Sequence, residues 1–179
     1  MGKKQKRIIG HSVVLSGIIK ENNFKKFAEI GVWKGGTTKR ILRSTSLEEY
    51  WGVDPWLVMP DGSKVQKKRK QWQWDGYHLY CCNLMCYFPQ LKILRMTSEL
   101  ATSLFPDSYF DMVYLDARHE CKDVYEDIGF WLPKVREGGI LAGHDYGGKW
   151  TGVIEAVHEW FGMDELKIWE DDEVWVYRV

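Results

Sequence analysis

Four side chains of this chain have the types and spacing to move a proton or hold a cation: Asp116, His119, His144 and Asp145. Asp116 ends the apolar run Asp111-Met112-Val113-Tyr114-Leu115, and Asp145 follows Ile140-Leu141-Ala142-Gly143 and His144. Near-continuous apolar runs of this kind belong to strands buried on both faces. In an open α/β sheet ligands bind beyond the carboxyl ends of the strands, so both carboxylates should reach one crevice. His119, three residues after Asp116 at a helix start, would join them. Two carboxylates and two imidazoles suit either a hard divalent cation held by Asp116 and Asp145 or a general base. Plainer roles also exist: Asp116 can cap the next helix, and His144 can point into the core.

A second constellation precedes it. Phe27-Ala28-Glu29-Ile30 reads as a buried strand, Gly31-Val32-Trp33-Lys34-Gly35-Gly36 as a glycine turn, and Thr37-Thr38 as the start of a helix. Gly31, Gly35 and Gly36 let backbone approach a ligand closely, and the helix start offers free N–H groups to an anion. The next strand, Tyr50-Trp51-Gly52-Val53, ends in Asp54, 54 − 31 = 23 residues after the first glycine. An acidic residue near that spacing takes the hydroxyls of a ribose in doubly wound folds. The dinucleotide fingerprint G-x-G-x-x-G needs a glycine where this chain has Trp33. An adenosyl group carrying an amino acid suits the loop better than a pyrophosphate, although a ligand-free strand-to-helix turn has the same pattern.

Composition sets the frame. With 179 residues, 45% hydrophobic and 28% charged, one soluble globular domain spanning 1–179 is expected. Lys+Arg 25 against Asp+Glu 25 leaves no net field to recruit nucleic acid or an anionic membrane. Cys81, Cys82, Cys86 and Cys121 form neither a paired zinc pattern nor a small secreted disulfide framework. They fit a reducing, cytoplasmic compartment. His78, Cys82 and Cys86 share one stripe of a helix, which reads as a buried apolar face or a metal site. The basic start Lys3–Arg7 and the apolar stretch Ile8–Ile19 read as a leading helix within residues 1–23, since no small-x-small cleavage site follows. No run approaches a membrane span.

The positioning elements alternate. Residues 57–74 form a lid-like insertion with a turn at Met59-Pro60-Asp61-Gly62, then Lys64, Lys67, Lys68, Arg69 and Lys70 running into Trp72 and Trp74. A helix over 75–88, a strand at Leu91–Arg95, a helix over 123–131 closed by Pro133 and Gly138-Gly139, and a helix from Val153 to Phe161 follow. Leu166–Trp169 and Val174–Tyr177 read as a terminal hairpin. Strands alternating with helices imply a doubly wound, mostly parallel sheet covered on both faces.

These motifs together resemble a class I S-adenosylmethionine-dependent methyltransferase. Asp116-Ala117-Arg118-His119-Glu120, Leu132-Pro133-Lys134, Gly138-Gly139-Ile140 and His144-Asp145-Tyr146 are similar to a small Rossmann-like subfamily related to sugar and macrolide O-methyltransferases. The resemblance covers roughly residues 24–179. It implies a seven-stranded, mostly parallel sheet closed by an antiparallel hairpin. It further implies that Gly31 to Thr38, including Trp33, hold the methionine end of S-adenosylmethionine with Glu29 near the amino group. Asp54 would take the ribose and Thr97-Ser98-Glu99 would border the adenine, with Asp116 beside the cofactor. Related enzymes hold magnesium with acidic residues at the two strand ends occupied by Asp116 and Asp145. Ala117, Cys121 and Tyr146 depart from the usual glycine, tyrosine and asparagine at their positions.

The expected activity is methyl transfer to an oxygen of a small molecule or sugar; a homodimer is compatible with the sequence. Three other classes remain open at this level. A nicotinamide-dependent oxidoreductase is disfavoured by Trp33 and by the lack of a second domain. A catalytically idle adenosyl-binding protein shares every cofactor motif. An RNA methyltransferase draws support only from the basic-aromatic segment.

Overall fold

The computed structural model describes residues 10–58 and 68–179. The strands are β1 (Lys26–Ile30), β2 (Glu49–Val53), β3 (Leu91–Leu94), β4 (Phe110–Leu115), β5 (Val135–Gly143), β6 (Leu166–Trp169) and β7 (Val174–Arg178). They form one sheet in the order β3-β2-β1-β4-β5-β7-β6. The first five run parallel, and β7 and β6 add as an antiparallel hairpin. The expected doubly wound sheet with its closing hairpin is therefore present. Strand order reverses between β1 and β4, which opens a crevice at their carboxyl ends.

Alternation along the strands decides which helix packs where. Phe27, Met112 and Tyr114 point to one face and pack against α1 (His11–Glu21) and α2 (Gly36–Ser44). Ala28, Val113, Leu115 and Leu141 point to the other, against α4 (Ser98–Thr102), α5 (Cys121–Trp131) and α6 (Thr151–Phe161). On α1 the apolar stripe is Val14, Leu15, Ile18 and Ile19, spaced to keep one side of a helix in the core. The start of α1 is pinned from outside, because Asp172 accepts the Gly10 N–H at 2.6 Å. Among the described residues, no helix is long and apolar enough to cross a membrane.

Several boundaries differ from the sequence reading. Helix α3 (Gln71–Leu84) begins four residues earlier than expected and ends four earlier. Trp74 and Cys81, seven residues apart on one side of it, are buried with Val32 and Trp56 beneath the glycine loop. Residues 71–74 thus belong to a packed helix, not to the lid-like insertion. The turn at Met59–Gly62 and Lys64 and Lys67 lie outside the described residues, as does the basic start at 1–9. Helix α5 does stop at Pro133, through a 3₁₀ turn at Leu132–Lys134. Gly138 and Gly139 do not terminate it. They sit inside β5 at a register shift against β4, where a Cβ on Gly139 would lie 2.7 Å from the Asp111 carbonyl oxygen.

Candidate active site

A cleft of about 780 Å³ opens at the carboxyl ends of β1, β2, β4 and β5. That volume is within the range of small-molecule sites. Glu29, Gly31, Trp33, Gly36, Thr37 and Asp54 line it, as do Thr97, Ser98, Glu99 and Asp116. His119, His144 and Asp145 share the same cleft. Two expected cofactor residues do not line it. Gly35 has φ +70 and its missing Cβ would meet Cys81 Sγ at 2.8 Å, so this glycine serves the packing of α3. Thr38 is fully buried and donates to Glu29 Oε2 at 2.5 Å.

The glycines of the loop have different reasons. Gly31 has φ +93, and any Cβ there would run into the backbone of Asp116 and Ala117. Its space is taken by β4's continuation, not by a ligand. At Gly36 the missing Cβ faces open space in the cleft. Between them Trp33 adopts φ +51, a conformation strained for a bulky side chain. Two bonds hold it there: its N–H donates to Asp54 Oδ2 at 2.8 Å, and Trp56 Nε1 donates to its carbonyl at 2.8 Å.

Asp54 is thereby engaged from within the protein. Its Oδ1 also accepts the Trp56 N–H at 2.7 Å, and the residue is only 8% exposed. Burial raises its pKa above the ordinary carboxylate value, against the lowering effect of these backbone bonds. Glu29 goes further. Tyr50 Oη and Thr38 Oγ1 both donate to its Oε2, yet burial pushes its pKa up to about 8.

The four polar residues of the strand ends do converge. His119 Nε2 lies 2.6 Å from Asp145 Oδ2, and the His119 ring stacks on Trp150 with centroids 4.2 Å apart. His144 Nδ1 lies between the two carboxylates, 3.6 Å from Asp116 Oδ1 and 3.5 Å from Asp145 Oδ1. Burial alone would lower the His144 pKa, but the bonds and charges of Asp116 and Asp145 outweigh it and raise it to about 10. Asp145 is buried too, and its two histidine partners hold its pKa well below the carboxylate range. The two carboxylates therefore favour the protonated form of His144. Asp145 itself has φ +58, a strained value that persists where surroundings hold it.

Asp116, His144 and Asp145 each offer one ligand atom, all within 4.8 Å of one another. This is the one such group of three among the described residues, so His78, Cys82 and Cys86 do not make one. Cys82 Sγ instead lies 3.3 Å from His78 Nε2.

Among the lining residues that sequence reasoning missed are His11, Arg40, Asp127 and Trp150. His11, the first residue of α1, has Nε2 2.8 Å from Thr37 Oγ1 and its ring 4.4 Å from that of His144. The available signal was a lone polar residue at the head of an apolar segment, far in sequence from its partners. Asp127 takes a bond from Ser98, whose Oγ accepts Trp131 Nε1 at 2.8 Å; burial pushes the Asp127 pKa up to about 6. Its helical neighbours Asp123 and Glu126 made it look like ordinary solvated charge.

Residues 28–146, two thirds of the chain, match the family model described as a methyltransferase domain. The chain belongs to this methyltransferase family. Among curated proteins, the methyltransferase is 20% identical over 129 residues to the uncharacterized protein R132 of Acanthamoeba polyphaga mimivirus, covering 70% of this chain. It spans only 55% of that relative's length. Among solved structures, the O-methyltransferase NovP superposes with a TM-score of 0.62 at 19% identity, covering 98% of this chain and 82% of NovP. An O-methyltransferase from Bacillus cereus in complex with SAH gives 0.57 at 11%, covering 94% and 80%. At these identities the likeness is one of fold. The family model and the fold are those of a methyltransferase domain, which disfavours the nicotinamide oxidoreductase reading.

Proposed function

We propose that the methyltransferase methylates a hydroxyl oxygen of a small molecule or sugar, with His119 as general base and Asp145 as the residue that orients it. The 2.6 Å contact between His119 Nε2 and Asp145 Oδ2 carries this reading. With Nε2 committed to the carboxylate, Nδ1 is the nitrogen that takes the acceptor's proton, and Asp145 offsets the charge that then forms on the ring. Trp150 holds the ring plane by stacking. Proton removal raises electron density on the acceptor oxygen, which alkyl transfer to a weak nucleophile requires.

When bound, S-adenosylmethionine supplies a methyl group on a sulfonium. The open space at Gly36 fits its amino-acid end, with Thr37 and Glu29 beside it. Asp54 keeps the loop in place and has lone pairs left for the ribose hydroxyls. Thr97, Ser98, Glu99 and Asp127 border the adenine end. The protein's share of catalysis is mainly to align acceptor and donor, worth several kcal/mol, roughly 7–11 in well-oriented intramolecular cases.

A second reading keeps Asp116 and Asp145 as ligands of magnesium, favoured by the closeness of the donor atoms. Two hard carboxylate oxygens suit that ion, which retains several waters. His144 would have to give up its proton or swing aside, because its nitrogen is a poorer partner for a hard cation. The ion would lower the acceptor hydroxyl's pKa.

A small-molecule acceptor is favoured over RNA because Trp74, one of the two tryptophans of the basic-aromatic segment, is buried. The four cysteines are free thiols, which suits a cytoplasmic location. Incubation with methyl-labelled S-adenosylmethionine and a panel of hydroxyl compounds tests the function. Label in an alkali-stable ether, lost in His119→Ala, supports it. Label only in an amine or in RNA overturns it.

A further inference from the structure

Basic residues gather on one side of the cleft, above the buried Glu29 and Asp54, and acidic ones on the other, where Arg118 pairs with Asp123. Residues 30–47 contain Lys34, Lys39, Arg40 and Arg43 and no acidic residue. Lys34 and Arg40 line the cleft on this side, together with His11. The facing wall presents Glu99, Asp123, Glu126 and Asp127. S-adenosylmethionine carries a sulfonium, an ammonium and a single carboxylate, so the two cations Lys34 and Arg40 in the lining offer more than its one anionic group needs.

The basic corner also extends toward the acceptor side. His11 bridges the start of α2 and the proton-transfer cluster, with Nε2 2.8 Å from Thr37 Oγ1 and its ring 4.4 Å from the His144 ring. Arg40 lies one helical turn beyond Thr37, close enough for its charge to act on His11. It is exposed on the cleft side. Three potential donors, Arg40, His11 and Thr37, thus line the same cleft as the carboxylates Asp116 and Asp145. A guanidinium with adjacent donors is the set that recognises planar or tetrahedral oxyanions.

We propose that the acceptor is an anion: a hydroxyl compound bearing a phosphate or carboxylate, seated on Arg40 with His11 and Thr37. This rests on the methyltransferase reading of the cleft and names its substrate class. The charged group holds the molecule against the basic wall, so that its hydroxyl faces His119. Neutral hydroxyl compounds lack that anchor and bind weakly.

Inorganic phosphate is the probe. It is titrated into the protein saturated with S-adenosylhomocysteine, following the imidazole NMR signals of His11, in the wild type and in Arg40→Ala. Arg40 is exposed, so the variant folds. Saturable binding that weakens about tenfold or more in Arg40→Ala, with S-adenosylhomocysteine affinity changed less than about twofold, supports the proposal. Phosphate that does not bind the loaded protein, or binds the variant equally, overturns it. A decarboxylated S-adenosylhomocysteine separates the two sources of a carboxylate. If Arg40→Ala weakens S-adenosylhomocysteine but not the decarboxylated analogue, the corner serves the cofactor and the proposal falls. Should the adenosyl ligand fail to bind at all, the cofactor reading fails instead, and Arg40-dependent phosphate binding to the free protein still supports the anion site.

Discussion

The backbone N–H of Trp33 donates to Asp54 Oδ2 at 2.8 Å, tying the strained tip of the glycine loop to the end of β2. Asp54 also accepts the Trp56 N–H, so one carboxylate fixes two turns that shape the cleft. A residue expected only to greet the ribose therefore builds the site first. Asp54→Ala should leave two amides without their partner, costing about 2–4 kcal/mol by the usual penalty for buried donors. For a domain of this size that is on the order of 5–15 °C in melting temperature.

The same variant tests the cofactor. At about 100 times Kd, S-adenosylhomocysteine should stabilise the wild type by roughly 2.7 kcal/mol, while NAD gives no shift. Asp54→Ala should lose most of that gain. An equal shift with both ligands would sink the cofactor assignment.

Gly31→Ala probes the fold rather than the chemistry. A Cβ at φ +93 would be strained and would press on the Asp116 backbone, which cannot move without shifting β4. Loss of several kcal/mol is expected, roughly 3 or more, from strain plus overpacking. Gly36→Ala, with open space before it, should fold normally and lower affinity for S-adenosylhomocysteine. Thermal melts and a binding titration of the pair separate the two glycines; equal melting temperatures would contradict the packing role of Gly31.

Burial raises the Glu29 pKa from an ordinary 4.5 to about 8. The folded state therefore holds the proton more tightly than the unfolded chain. Stability is full below pH 4.5 and declines as pH rises toward 8, by up to roughly 5 kcal/mol if the whole shift is realised. Glu29→Gln keeps an oxygen for Thr38 and Tyr50 without the buried charge. Its melting temperature should exceed that of the wild type at pH 8.5 and converge with it near pH 4.5. Its affinity for S-adenosylhomocysteine should fall. A variant less stable at every pH would show that the carboxylate is better satisfied than its burial implies.

The strands of the sheet and the residues at their ends were legible because buried apolar runs and glycine turns are local signals. Asp54, Asp116 and Asp145 follow from them, since topology alone sends their carboxyl ends to one crevice. What was not legible depends on distant partners. The role of Gly35 is decided by Cys81, and that of His11 by Thr37 and His144. Trp74 read as part of a lid-like insertion because the small cluster that buries it, with Val32 and Trp56, is assembled from three separate stretches. The glycines at 138 and 139 carry the signature of a helix stop, and only the pairing of β5 with β4 shows them to lie at a register shift within a strand.

The decisive prediction concerns how the acceptor loses its proton. With His119 as base, His119→Ala should lower kcat by about 10²–10⁴, while affinity for S-adenosylhomocysteine stays unchanged. Asp145→Asn should act in the same direction, because an amide cannot offset the charge on the ring. Activity should survive a chelator. With magnesium at Asp116 and Asp145, chelation should abolish turnover, added magnesium should restore it, and Asp116→Asn should be as harmful as Asp145→Asn. Turnover unaffected by His119→Ala, by Asp145→Asn and by chelation would mean that this cluster holds the strand ends together and that the acceptor is activated by other groups in the cleft.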